Sequence, residues 1–209
     1  MKFPLLILLI LCNLSFAGWF SFKKNGPNYE RLKTGDVVFQ DTGGEQGKAV
    51  EAATGSKFTH CGIVFEKNDT LYVLEAVQPI QVVTLKDFRK RSKIFHARRL
   101  KDPKPLNNAA IAKGLAWGQK QIGKDYDNLF KWDNQNLYCS ELVWKIYEKS
   151  TGQKLCETQS FKSYFLEKEE VTAIIEKRYG GADNLPADEP VVAPSDLAAS
   201  PLLVEVPKR

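Results

Sequence analysis

The order in which this chain places its apolar residues constrains its fold more than any other feature. Between Leu32 and Leu100 the apolar runs are short, and Gly, Asn and Asp separate them. "LKTGDVVFQ" (32–40) reads as a turn at Gly35-Asp36 followed by a buried strand. "FTHCGIVFE" (58–66) and "TLYVLEAV" (70–77) form a hairpin across "KND". "PIQVVTLKDF" supplies a short strand and a helical turn, and "KIFHARRL" (93–100) another strand. Residues 45–56 suit a short helix of small residues ended by Gly55. The longer helical patterns come later. One runs from Leu106 to about Gly123, with Ile111, Leu115, Trp117 and Ile122 apolar, and one follows at "YCSELVWKIYEKSTG", stopped by Gly152. Residues 163–178 suit a strand or a helix, and "LLVEV" is a last strand. Strands first and helices second imply an α+β fold, an antiparallel sheet packed against helices, and argue against a doubly wound sheet.

The ends of the chain read differently from its middle. "MKFPLLILLILCNLSFAGW" has one Lys, an apolar run from Pro4 to Leu11, and small residues at Ser15 and Ala17. That is the pattern of a secretory signal cleaved after Ala17. The run is too short to span a bilayer, which takes about 20 residues. Leu11 is too large for a lipidation site at Cys12. The expected organisation is a signal over 1–17, an N-terminal extension over 18–31, and one domain over 32–209 with a Pro-rich wrap at about 180–200. The expected location is periplasmic or extracellular.

The net charge of +5 is spread out, with local runs at "FRKRSK" (88–93) and "ARRLK" (97–101). Neither run interleaves aromatics as a single-strand nucleic-acid groove does. They read as a solvated face, and their charge also suits attraction to an anionic envelope surface. Cleavage would leave Cys61, Cys139 and Cys156, an odd number, so at least one thiol is free or intermolecular. With no C-x-x-C and only His60 and His96, a structural metal site is badly supported. There is no Gly-rich phosphate loop.

The hairpin carries the first chemistry. A two-residue turn at Lys67-Asn68 sets His60 directly opposite Glu75. A turn at Asn68-Asp69 sets Glu75 opposite Gly62, diagonal to His60 on the same face. A carboxylate inside "YVLEAV" needs a partner, and it would hold one imidazole nitrogen and leave the other for proton transfer. Alternation puts Cys61 on the opposite face, away from this chemistry. Cys139, in "LYCSELVWKIY", opens a helix, where the macrodipole and unpaired N–H groups favour a thiolate. Its own N–H can face a developing oxyanion. Residue chemistry alone also admits a buried structural thiol and a hydrogen-bonded core histidine; His96 reads as the latter.

The segments "LKTGDVVFQ", "AATGSKFTHCGIVF", "LYVLEAV", "GKDYDNLFKWDNQNLYCSELVWKIY" and "PSDLAASPLL" resemble the YiiX-like permuted papain-fold enzymes, relatives of the NlpC/P60 superfamily. The resemblance runs from about Leu32 to Leu203. "THCGIV" followed by "YCSELV" is its specific part, since the permuted order puts the histidine strand before the cysteine helix. It implies a cysteine hydrolase of amidase or peptidase type with Cys139 as nucleophile, His60 as base and Glu75 orienting His60, and no cofactor. The implied substrate is small, of peptide, amino-acid or lipid-amide type, such as an amide in cell-wall peptides or another envelope molecule. Related permuted families act on lipids as thioesterases or acyltransferases. A binding module without catalysis is a third alternative. Tyr138, Tyr126, Gln40 and Asp36 are the expected pocket residues. A polar cleft with Asp36 or Asp127 would mark a peptide substrate; an apolar groove around Leu129, Phe130 and Trp132 would mark a lipid one.

Overall fold

The computed structural model describes residues 32–207. The expected signal and N-terminal extension lie outside the described residues. The chain runs β1 (Val37–Gln40), α1 (Gly44–Thr54), β2 (His60–Lys67), β3 (Thr70–Glu75), β4 (Gln81–Thr84), α2 (Leu85–Lys90), β5 (Phe95–Leu100), α3 (Asn108–Gln119), α4 (Cys139–Thr151), β6 (Gln159–Ser160), α5 (Glu169–Tyr179), β7 (Pro190–Val191), α6 (Pro194–Ala198) and β8 (Leu203–Glu205). Six strands make one sheet in the order β4-β3-β2-β1-β5-β8, antiparallel at every pairing. The fold is α+β, as the element order implies. The segment 163–178, open between strand and helix, is helical from Glu169.

Alternation along the strands builds two cores. Val37, Phe39, Cys61, Ile63 and Leu74 face α4, whose Leu142, Val143 and Ile146 pack on them. Val38, Val64 and Val73 face the other way and meet Leu85 and Phe88 of α2. Burial on both faces explains why β1 carries no exposed residue. Helix α3 reaches α4 through glycines. A Cβ on Gly118 would lie 2.6 Å from Leu74 Cδ2 and 3.1 Å from Ile146 Cδ1.

The β2–β3 hairpin settles the open register. Ile63 pairs with Leu74 and Lys67 with Thr70, so the two turn residues are Asn68 and Asp69. Both have positive φ, 49° and 57°, the conformation of a type I′ hairpin turn. Of the two turn positions the sequence admits, the pairing selects Asn68-Asp69 over Lys67-Asn68. Short polar Asn and Asp tolerate the left-handed region that Lys would resist.

The last stretch closes back on the N-terminal end of α4. β8 pairs with β5, and β7 with β6. The Val192 N–H donates to the Tyr138 hydroxyl at 3.1 Å, and Ser140 Oγ donates to the Val192 carbonyl at 2.6 Å.

Candidate active site

His60 is the first residue of β2, and Glu75 is the last of β3. The register makes them diagonal neighbours, and His60 Nε2 lies 2.7 Å from Glu75 Oε2. Of the two arrangements left open, direct opposition and diagonal, the diagonal one is found. Between them stands Gly62. A Cβ there would meet Val73 Cγ1 at 2.5 Å and Glu75 Cβ at 3.4 Å, so the empty side of Gly62 makes the diagonal contact reachable.

Glu75 is fully buried and held from three sides. Arg91 Nη2 donates to both carboxylate oxygens, at 2.7 and 2.9 Å, and Gln81 Nε2 donates at 3.2 Å. Burial alone would raise the Glu75 carboxyl; the contacts with His60 and Arg91 hold it below its usual value instead. The same elements fix the imidazole plane. Phe88 stacks on the His60 ring with centroids 5.8 Å apart, and the Arg91 guanidinium lies 5.0 Å over the other aromatic, Phe88. Neither Arg91 nor Phe88 is legible as a site residue in the sequence. Arg91 sits in the basic run that reads as a solvated face, and Phe88 in an ordinary amphipathic turn.

Cys139 is the first residue of α4, after Tyr138 in extended conformation. It is buried in the same core cluster as Cys61, and its thiol is influenced by both Cys61 and His60. The Cys61 thiol, then His60, draw the Cys139 thiol well below its ordinary value, against burial. Burial and the neighbouring Cys139 push Cys61 up, so Cys61 stays a thiol. Burial would lower His60, but Cys139 and Glu75 push it up to about 9. The arrangement favours a thiolate–imidazolium pair. The expectation that Cys61 stands away from this chemistry is thus corrected. Alternation does put it on the α4 side of the sheet, and that is the side from which Cys139 arrives.

The remaining expected residues divide. Tyr138 and Tyr126 line a cavity that opens beside Cys139. Gln40 does not line it; it pairs in register with His60 and shares that face of the sheet, fully buried. Asp36 is displaced further, at the far end of β1, where Arg99 Nε and Nη2 each hold one of its oxygens at 2.7 Å. Asp127 turns inward to accept from the backbone of Leu129 and Lys131. Of the two alternatives, a polar cleft and an apolar groove, the cavity beside Cys139 has an apolar lining, to which Phe130 contributes. Trp132 packs against Trp144 instead. His96 stacks edge-on against Phe58, a packing role.

A profile of the permuted papain-like amidase family YaeF/YiiX, C92, matches residues 31–206. The uncharacterized protein YiiX of Escherichia coli K12 is 32% identical over 210 residues, covering 100% of this chain and 96% of that one. The crystal structure of the metalloprotein YiiX from Escherichia coli O157:H7 superposes with a TM-score of 0.78 at 34% identity, over 85% of this chain and 97% of that one. The donor set for a metal is not assembled here: among the described residues no three His, Cys, Asp or Glu side chains are grouped to hold an ion.

Proposed function

The chain belongs to the permuted papain-like amidase family, a family of cysteine hydrolases, and we propose that it cleaves an amide with Cys139 as nucleophile, His60 as acid and base, and Glu75 as the group that orients His60. The carrying observation is the 2.7 Å His60–Glu75 contact on one strand pair, with Cys139 at the start of α4 helping to push the His60 imidazole up to about 9. Glu75 engages Nε2 and leaves Nδ1 for Cys139. The Cys139 thiolate attacks the carbonyl carbon, and the N–H groups of the first turn of α4 are oriented toward the oxyanion. As the C–N bond breaks, His60 gives its proton to the departing amine, leaving a thioester. His60 then takes a proton from water, the hydroxide attacks the thioester, and the C–S bond breaks to release the acid and restore the thiolate. The apolar run Pro4–Leu11 followed by Ser15 and Ala17 supports an exported enzyme acting on an envelope molecule.

The test is the alkylation rate of Cys139 by iodoacetamide against pH, read peptide by peptide in a mass spectrometer. The expected result is fast labelling with an apparent pKa well below the ~8.5 of a free thiol, lost in His60→Ala. Cys139→Ala should lose turnover and keep the fold. Ordinary thiol behaviour, unchanged in His60→Ala, would return Cys139 to a packing role and favour a binding module.

A further inference from the structure

Every residue from Cys139 to Tyr147 is buried, Glu141 and Lys145 included. Glu141 Oε1 accepts from Lys145 Nζ at 2.6 Å, one turn further along α4. Lys145 also donates to the Asp133 carbonyl and lies 5.0 Å over the Trp132 ring. The other carboxyl oxygen, Glu141 Oε2, accepts the Tyr138 N–H at 3.4 Å. Burial pushes the Glu141 carboxyl up to about 8 while Lys145 pulls it down, and in either protonation state an oxygen can accept that N–H. A buried ion pair adds little stability that an apolar pair of the same shape would not, so packing alone does not account for this one. Its place in the helix does. Tyr138 is the N-cap residue, and its side chain makes no capping hydrogen bond; its hydroxyl accepts from the Val192 N–H instead. A Ser or Asp at the N-cap would occupy an N–H of the first turn. Glu141 fixes the backbone at Tyr138 without drawing on the N–H groups that follow it.

We propose that Glu141 is a positioning residue for the reaction: anchored on Lys145, it holds the peptide that leads into Cys139 and keeps the first-turn N–H groups of α4 aligned on the oxyanion. The inference rests on the cysteine-hydrolase reading above. Glu141 touches no substrate and moves no proton; it acts through the backbone of Tyr138. Lys145 supplies the anchor, because it ties the carboxyl to the Asp133 carbonyl of the preceding loop. The oxyanion exists only once the carbonyl carbon has been attacked. Misaligned donors therefore slow that attack and leave the thiolate itself as it was.

The test compares two reagents on the same sulfur in the full chain. With p-nitrophenyl acetate the thiolate adds to the carbonyl carbon, an oxyanion forms, and the C–O bond breaks to leave acetyl-Cys139 and p-nitrophenolate, which needs no proton from His60. Iodoacetamide alkylates the thiolate by displacement of iodide at a saturated carbon, with no oxyanion. Mass spectrometry of peptides reads both rates at Cys139. Glu141→Leu/Lys145→Met replaces the pair by apolar side chains of similar size. It should keep the alkylation rate and its pH profile and lower the acetylation rate at least about tenfold. Glu141→Gln/Lys145→Met restores an uncharged acceptor, and its ratio of acetylation to alkylation should return to within about threefold of wild type. Circular dichroism checks each fold, and Glu141→Met/Lys145→Met makes the same removal with more adaptable side chains should the first pair not fold. A wild-type ratio in a folded apolar pair overturns the inference, as does an equal loss of both rates there, or a loss in the Gln pair as large as in the apolar one. Wild-type Cys139 that reacts with both reagents no faster than a free thiol overturns the hydrolase reading itself.

Discussion

Gly62 lies between the two groups that the site must join. A diagonal contact across an antiparallel pair spans more than a direct one, and His60 and Glu75 close it to 2.7 Å only because nothing projects between them. The hypothetical Cβ at Gly62 falls 2.5 Å from Val73 Cγ1 and 2.9 Å from the Leu74 carbonyl oxygen, both fixed in a buried strand. Neither neighbour is the free end of a flexible side chain. Gly62→Ala is therefore expected to destabilise the fold by about 1–3 kcal/mol, read as a shift in the denaturation midpoint. It should also slow Cys139 labelling at neutral pH, because Glu75, whose Cβ lies 3.4 Å from the added methyl, sits on the strand that must shift. Retained stability with normal labelling would mean that β3 gives way without disturbing the carboxylate. The sequence offers this position only as an unremarkable Gly in "THCGIV". What makes it matter is the register, and the register depends on a turn some residues away.

At the scale of elements, that turn is where local chemistry decides a distant distance. Asn68 and Asp69 both adopt left-handed backbone, a conformation that costs L residues free energy and Gly none. Asp69→Gly should raise stability by roughly 0.5–1 kcal/mol and leave the alkylation profile of Cys139 unchanged, since the register stays the same. A thermal melt and one pH series check both halves. A changed profile would mean that the turn had slipped. The hairpin, its two chemical residues and the helix that starts at Cys139 are legible in the sequence because each rests on a local pattern: alternation, a left-handed pair, a Gly at the helix end. Arg91 is not legible, because its role comes from α2 folding over β3, sixteen residues from Glu75. Cys61 is misread for a related reason. Alternation gives its face correctly, but only the packing of α4 tells which face receives Cys139. The apolar cavity escapes too, since α1 and α5 are brought together from opposite ends of the chain.

Over the whole molecule, the charges at the site form a chain running from α2 through β3 and β2 to α4. Arg91 holds Glu75, Glu75 holds His60, and His60 faces Cys139. Each link biases the next, so the pH dependence of the reaction belongs to the assembly and not to any one group. Cys139 is drawn down by Cys61 and His60, and His60 is pushed up to about 9 against its burial by Cys139 and Glu75. Below the His60 value the imidazole carries the proton that the leaving amine needs. Above it that proton is gone, although the thiolate remains. Turnover should therefore hold through neutral pH and fall as pH rises through about 9, while alkylation, which needs only the thiolate, should not fall there. Glu75→Gln keeps the shape and removes the negative charge. The basic limb of turnover should then move to lower pH, toward the ~6.5 of a free histidine. Arg91→Ala, which leaves the Glu75 charge in place, should move it less. A basic limb that stays put in Glu75→Gln would show that Glu75 holds the ring without tuning its proton, and the thiolate alone would then account for the raised His60.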